Sequence, residues 1–179
     1  MPKQRKELLL VDGYNVLRSG SRYQRIAGPD YTDDTFNTAR EALINDVVNY
    51  AGRDWRAVIV FDGAKNRFST GEAETVGGVR IVFSPAGQSA DKVIEKLAHD
   101  ARERQVETLV VTSDATIQDT VFGNGVDRMS ADGFSHEVTL YYEDARLDET
   151  PKVAEKNTVA ARIDPATLAK LQALRDRAR

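Results

Sequence analysis

The sequence predicts an α/β fold, a mainly parallel sheet covered by helices on both faces. Three observations carry that expectation. Short apolar runs recur along the chain, each bounded by polar or turn residues, as in strands buried on both faces. Stretches with apolar residues at helical spacing lie between them. Alternating the two patterns builds parallel strands joined by helical crossovers. The 179 residues are enough for one domain with a sizeable core.

Leu8–Val11 is the first strand, and it stops abruptly at Asp12, Gly13, Tyr14 and Asn15. Arg18–Tyr31 reads as a polar connection containing Gly and Pro. Thr32 suits an N-cap, and Asp33 and Asp34 suit the positive first turn of a helix. Phe36, Ala39, Leu43, Val47 and Tyr50 continue that helix to a stop at Gly52. Arg56–Phe61 is the second strand, and Gly63–Gly78 an arm or hairpin. Val79–Phe83 is the third strand. Ser89 caps a helix whose stripe is Val93, Ile94, Leu97, Ala98 and Ala101. Glu107–Thr112 is the fourth strand, Ala115–Phe122 a short helix closed by Gly123–Gly125, and Asp127–Ser130 a short fifth strand. Phe134–Arg146 reads as a helix. Residues 1–150 form the expected domain. Residues 151–179 supply a charged link and a C-terminal helix opened by Asp164-Pro165, with Leu168, Leu171 and Leu174 in line.

Composition narrows the function classes. Apolar residues make up 41% and charged residues 30%, a balance typical of soluble domains. No stretch approaches the roughly 20 apolar residues of a membrane span. No apolar leader follows the basic start, so no membrane partner and a cytoplasmic setting are expected. With no cysteine there is no disulfide, thiolate zinc site or Cys nucleophile. The net charge of -3 argues against a nucleic-acid binder that is basic all over. The first 25 residues nonetheless collect Lys3, Arg5, Lys6, Arg18, Arg22 and Arg25 against Glu7 and Asp12, while residues 143–149 are acidic.

Acids recur where strands end. Asp12 closes the first strand, Asp62 the second, and Thr112-Ser113-Asp114 the fourth. The carboxyl edge of a parallel sheet is where open α/β folds place their sites. Asp91 lies in the first turn after Ser89, with Glu95 one turn later on the same helical face. Each has a blander reading: turn residue for Asp12 and Asp62, helix-start acid for Asp91 and cap for Asp114. Lys92 and Lys96 stand ready to neutralise Asp91 and Glu95. Asn15 can orient a carboxylate or cap the next segment. Tyr14 reads as packing, and Gly13 as a place where the backbone comes close to whatever binds. His99 and His136 lack a partner at ligand spacing and read as surface or packing residues.

Several carboxylates without Cys or clustered His describe a hard-oxygen site, suited to Mg²⁺ or Mn²⁺ rather than zinc. Such ions activate water, hold a scissile phosphate and offset the repulsion between an acidic rim and a polyanion. Arg18 and Arg22 after the first strand, and Lys65 and Arg67 after the second, are expected to hold the phosphate backbone beside the acids. Ser113 is a further candidate phosphate contact.

VDGYNVL at 11–17, VIVFDG at 58–63, IVFSPAGQSADKVIE at 81–95 and VVTSD at 110–114 appear in one order. In that order the chain resembles the NYN group of PIN-like nucleases, most closely its YacP-like branch. Each fragment is modestly specific, and the three acidic motifs together are strong. The resemblance implies a three-layer α/β/α PIN-like fold and metal-dependent cleavage of single-stranded RNA. It matches Asp12 to the first-strand metal ligand, Asp91 to the helix-start acid and Asp114 to the fourth-strand acid. Asn15 matches the motif's Asn, and Asp62 a less defined motif position. Bacterial mRNA is the implied substrate and the ribosome an implied partner; oligomeric state stays open.

Rival readings fare worse on the residues. A phosphatase of the haloacid dehalogenase type needs a second Asp where Tyr14 stands. A receiver domain needs a strand-end Lys. No Gly-rich dinucleotide fingerprint follows the first strand, and no GxSxG motif is present. The alternative from another class is a non-catalytic RNA- or ribosome-binding module with the same fold. In it the arginines matter and the acids serve only as caps.

Overall fold

The strand from Glu7 to Asp12 (β1) runs through the interior of a six-stranded sheet. The computed structural model describes residues 7–63, 73–117 and 125–149, together with helical positions 166, 169, 170 and 173. After β1 come α1 (Gly13–Ser19), α2 (Ser21–Ala27), α3 (Asp33–Ala51) and β2 (Trp55–Phe61). They are followed by β3 (Ala73–Val76), β4 (Val79–Phe83), α4 (Ala90–Glu103), β5 (Thr108–Val111), β6 (Val126–Met129) and α5 (Ala131–Glu149). A helical turn also begins at residues 115–117. The spatial order is β3-β4-β2-β1-β5-β6. All neighbours are parallel except β3 and β4, which form an antiparallel hairpin.

Pleating explains the two apolar faces. Leu8, Leu10, Val58, Val60 and Val110 meet Ala90, Ile94, Ala98 and Ala101 of α4. Leu9, Val11, Ile59 and Phe61 alternate with them and are fully buried. Phe61 touches Tyr14 of α1, which touches Phe36 of α3, so those helices cover the opposite face. The expected mainly parallel α/β/α architecture is therefore the one observed.

The order in which strands are added reverses between β1 and β5, although the two strands are parallel. From β1 the sheet grows through β2 and β4 on one side, and through β5 and β6 on the other. Such a switch point opens a crevice at the carboxyl ends of the two strands. Register places Val11 beside Val111, so Asp12 and Thr112 follow as the next neighbours there.

Local signals set several boundaries. Thr32 caps α3 in a reciprocal box with Thr35. Ser89 caps α4. Gly77 and Gly78, both at positive φ, form the two-residue turn of the β3–β4 hairpin, where side chains fit poorly. That hairpin occupies the described end of the expected arm. Lys65 and Arg67 lie outside the described residues, as do the charged link and most of the short and C-terminal helices. The chain divides into two compact units, residues 1–141 and 142–179, the first containing the whole sheet.

Two expectations need correction. The polar connection after the first strand is largely helical, as α1 and α2. Its signal was Val16, Gly20, Tyr23 and Ala27, which recur at steps of three and four and are all buried. Tyr23 Oη and both Arg22 Nε and a terminal guanidinium nitrogen donate to Asp46 of α3, at 2.8, 2.8 and 3.2 Å. Second, α5 begins at Ala131 rather than Phe134. The Ala131 N–H donates to Ser113 Oγ at 2.9 Å, a cap supplied from 18 residues upstream.

Candidate active site

Asp12, Asn15, Arg18, Asp62, Asp91 and Asp114 line one cavity of about 500 Å³, together with Tyr14, Ser19, Phe36, Ser89 and Ala90. Each acid arrives by a different route: Asp12 at the end of β1, Asp62 just after β2, Asp91 in the first turn of α4, and Asp114 after β5. The crossing of a switch point with a helix start brings together residues about a hundred positions apart.

Hydroxyls and amides hold this rim in place. Thr112 Oγ1 donates to Asp12 Oδ2 at 3.1 Å and accepts from the Asp114 N–H at 3.1 Å. One hydroxyl thus ties two acids on neighbouring strands. Asn15 Oδ1 accepts from the Ser113 N–H at 2.8 Å, which joins α1 to the loop after β5. Buried Ser84 accepts from the Gly63 N–H at 2.9 Å and reaches Asp62 Oδ1 at 3.5 Å. Thr112 Oγ1 thus bonds the Asp12 side chain and the Asp114 backbone, not the Asp114 carboxylate. Ser84 was not singled out in the sequence, and only the pairing of β2 with β4 puts it beside Asp62.

The electrostatics are those of crowded acids. Asp12 is 6% exposed, and its carboxyl is pushed up to about 6. Burial is the main cause; Asp91 and Asp114 add to it, and the Thr112 and Asn15 hydrogen bonds oppose it. Burial, then Asp114, Glu95 and Asp62, also raise Asp91, with Lys92 opposing. Asp114 moves the other way, because its Oδ1 accepts from the Thr116 hydroxyl at 2.6 Å and the Thr116 N–H at 2.8 Å. Asp114 is therefore both a cap for the turn at residues 115–117 and a lining residue of the cavity.

The donor chemistry fits a hard divalent cation: side-chain oxygens from four acids, with no sulfur or imidazole on the lining. The mutual repulsion that adds to burial in raising Asp12 and Asp91 is what such a cation offsets. As they stand the acids form a spread rim. Among the described residues no three acidic or histidine side chains gather closely enough to hold an ion. Thr116 keeps one Asp114 oxygen occupied, and unshielded carboxylates stay apart.

Other expected site residues fall elsewhere. Glu95 is not on the lining, and its Oε2 lies 3.7 Å from Lys92 Nζ. Arg22 is committed to Asp46 and does not line the cavity; its fork is spent on joining α2 to α3. Ser113 Oγ accepts the Ala131 N–H and is also off the lining, so its hydroxyl serves a helix start. Arg18 is exposed at the cavity with no carboxylate in ion-pair range among the described residues. A Cβ at Gly13 would overlap the Phe61 ring, so the close approach there is to the core. His99 and His136 are both exposed and off the lining. Phe36, read as a core position, is half-buried and lines the cavity.

Thr112→Val keeps shape and removes both hydrogen bonds. The expected result is a stability loss of about 1–2 kcal/mol and an Asp12 carboxyl driven higher still. The midpoint of the pH dependence of thermal unfolding, taken in EDTA, should move to higher pH; an unmoved midpoint would show that Thr112 does not hold Asp12.

The chain is similar in sequence and in fold to known proteins. A sequence profile of the YacP-like NYN domain matches residues 9–176. YacP of Bacillus subtilis is 32% identical over 132 residues, which cover 74% of this chain and 75% of that protein. The crystal structure of Rae1 (YacP) from Bacillus subtilis superposes with a TM-score of 0.63 at 26% identity, covering 95% of each chain. A mutant form of the same protein gives 0.64 at 27%, covering 94% of this chain and 99% of the other. The fold is PIN-like, as the resemblance implied.

Proposed function

Because the chain belongs to the YacP-like NYN domain family, we propose that it is a divalent-metal-dependent endoribonuclease acting on single-stranded RNA. The supporting observation is the convergence of Asp12, Asp91 and Asp114, with Asp62, on one cavity at the switch point of the sheet. Family membership suggests nuclease activity, an RNA substrate and use of divalent metals. The reading extends to bacterial mRNA as substrate, ribosome association and a cytoplasmic setting. Among the described residues no helix is long and apolar enough to cross a membrane.

Asp12, Asp91 and Asp114 would hold Mg²⁺ or Mn²⁺, with Asp62 beside them. Bound there, such an ion supplies Lewis-acid stabilisation of phosphate charge and a water of lowered pKa. The chain's own residues do the positioning. Arg18 offers a guanidinium to the incoming phosphate. Thr112 fixes the rotamer of Asp12, and Asn15 fixes the loop that carries Asp114. Tyr14 and Phe36 form an apolar wall that limits water on one side. Because Asp12 lies at the buried floor, the phosphate must descend below the rim, which a flexible single strand does more readily than a duplex.

Cleavage of an end-labelled single-stranded RNA by the full chain tests this. Cuts should appear with Mn²⁺ or Mg²⁺, stop with excess EDTA and return when metal is restored. Intact RNA with either ion would end the nuclease reading. The capping of the turn at Thr116 by Asp114 favours a second reading, a non-catalytic RNA- or ribosome-binding module in which the acids cap helices. RNA bound but uncut in both metals would select it.

A further inference from the structure

Five aromatic rings form a continuous ladder from the core to the lip of the acidic cavity. Phe83 stacks on Phe61 at 5.5 Å between centroids, Phe61 meets Tyr14 at 5.0 Å, Tyr14 meets Phe36 at 5.6 Å, and Phe36 meets Tyr31 at 5.6 Å. Phe61, the second ring, is fully buried and anchors the row in the core, and Phe83 beyond it is half-buried. The outer end is open, since Tyr31 is 57% exposed and Phe36 is half-buried on the cavity lining. Of six Phe and six Tyr residues in the chain, these five stand in one row leading to the carboxylates.

Helix capping explains one contact and leaves the rest. Tyr31 precedes the Thr32 cap of α3, and Phe36 is the fourth helical residue, so the two make a hydrophobic staple. A staple needs apolar contact, which an aliphatic side chain supplies. It does not require aromatic faces beside an acidic cavity, with Arg18 exposed on the same lining. An unpaired base is the ligand group that combines a flat apolar face with an adjacent phosphate. Base–aromatic stacking tolerates any base, because every base has a π-face.

We propose that Tyr31 and Phe36 form a stacking platform for an unpaired base of the RNA strand whose phosphate enters the carboxylate cavity. This rests on the nuclease reading of that cavity. Tyr14 and Phe61 hold the platform rigid from below, and Arg18 receives the phosphate of the same strand. The strand is gripped by ring faces rather than base edges, so the platform selects unstacked single strands without reading their sequence.

The test separates binding from cutting. Short single-stranded RNAs carrying 2-aminopurine at successive positions are titrated into the full-length protein in EDTA. Wild type should quench one position, or two adjacent ones, strongly. Tyr31→Leu keeps the staple and loses the ring; it should melt with wild type and bind RNA about tenfold more weakly. Tyr31→Phe should bind as wild type. An abasic nucleotide at the responding position should weaken wild type by a similar factor and erase its difference from Tyr31→Leu. The platform is overturned if Tyr31→Leu binds as tightly as wild type. It is also overturned if the difference survives an abasic nucleotide at every position. Cleavage of the same RNA in Mn²⁺ is scored separately. RNA cut by wild type and bound equally by Tyr31→Leu sinks the platform alone. RNA bound with a quenched base but never cut sinks the nuclease reading alone.

Discussion

Asp12→Asn should abolish most cleavage while making the metal-free protein more stable. The loss expected in kcat/KM is at least about a hundredfold, the lower range for removing one group that acts on transition-state charge. The stability gain follows from burial. The Asp12 carboxyl ionises at about 6 in the folded chain against 3.8 for the ordinary group. Below 3.8 both states carry the proton, so ionisation of Asp12 costs the fold nothing. As pH rises through 3.8 to 6 the unfolded chain gives up its proton first, and the fold loses up to about 3 kcal/mol. Asparagine, which never ionises and still accepts from Thr112, removes that loss. Thermal unfolding in EDTA at pH 7.5 should therefore show the variant melting higher by roughly 5–10 °C, and the gap should close near pH 4. An Asp12 that serves only as a structural cap predicts the reverse, a lower melting temperature with cleavage intact.

Asp46→Ala should do the opposite. Asp46 is 2% exposed and accepts from Arg22 and from the fully buried Tyr23 hydroxyl. Without it a guanidinium and a phenol lose hydrogen bonds inside the α2–α3 contact, at a cost of about 1–3 kcal/mol. Neither Asp46 nor Arg22 lines the carboxylate cavity. At a temperature where the variant is still folded, cleavage per folded molecule should match wild type. An unchanged urea midpoint would show that the triad contributes nothing to the fold. Lost cleavage in a folded variant would show that α2 positions the site.

Much of this site is legible in the linear chain because the physics involved is local. An apolar run that stops at Asp12 marks a buried strand and its carboxyl end. Thr32 and Ser89 mark helix starts through oxygens that accept from the N–H three residues on. Asp91 follows from the second of these, since acids in a first helical turn are favoured wherever they occur. The acids were therefore nameable one at a time. The resemblance across four short motifs added that they belong together.

The sequence by itself determined the α/β class, the strand ends that carry acids and the absence of thiol chemistry. The tertiary structure alone decided which polar groups are free to act. Arg22 and Ser113 look like phosphate contacts in the chain. Their partners, Asp46 and the Ala131 N–H, lie 24 and 18 residues away and take them out of the site. Arg18 has no such partner among the described residues and stays at the cavity. Phe36 read as core because helical spacing shows that a side chain leaves a face but not whether that face is closed or opens on a cavity. The α1–α2 segment read as a loop because its apolar positions, Val16, Tyr23 and Ala27, are sparse among polar ones. α3 supplies Asp46 as an acceptor for the buried Tyr23 hydroxyl. A hydrogen bond between distant residues is decided by which elements the sheet order brings together, and spacing along the chain carries no record of that order.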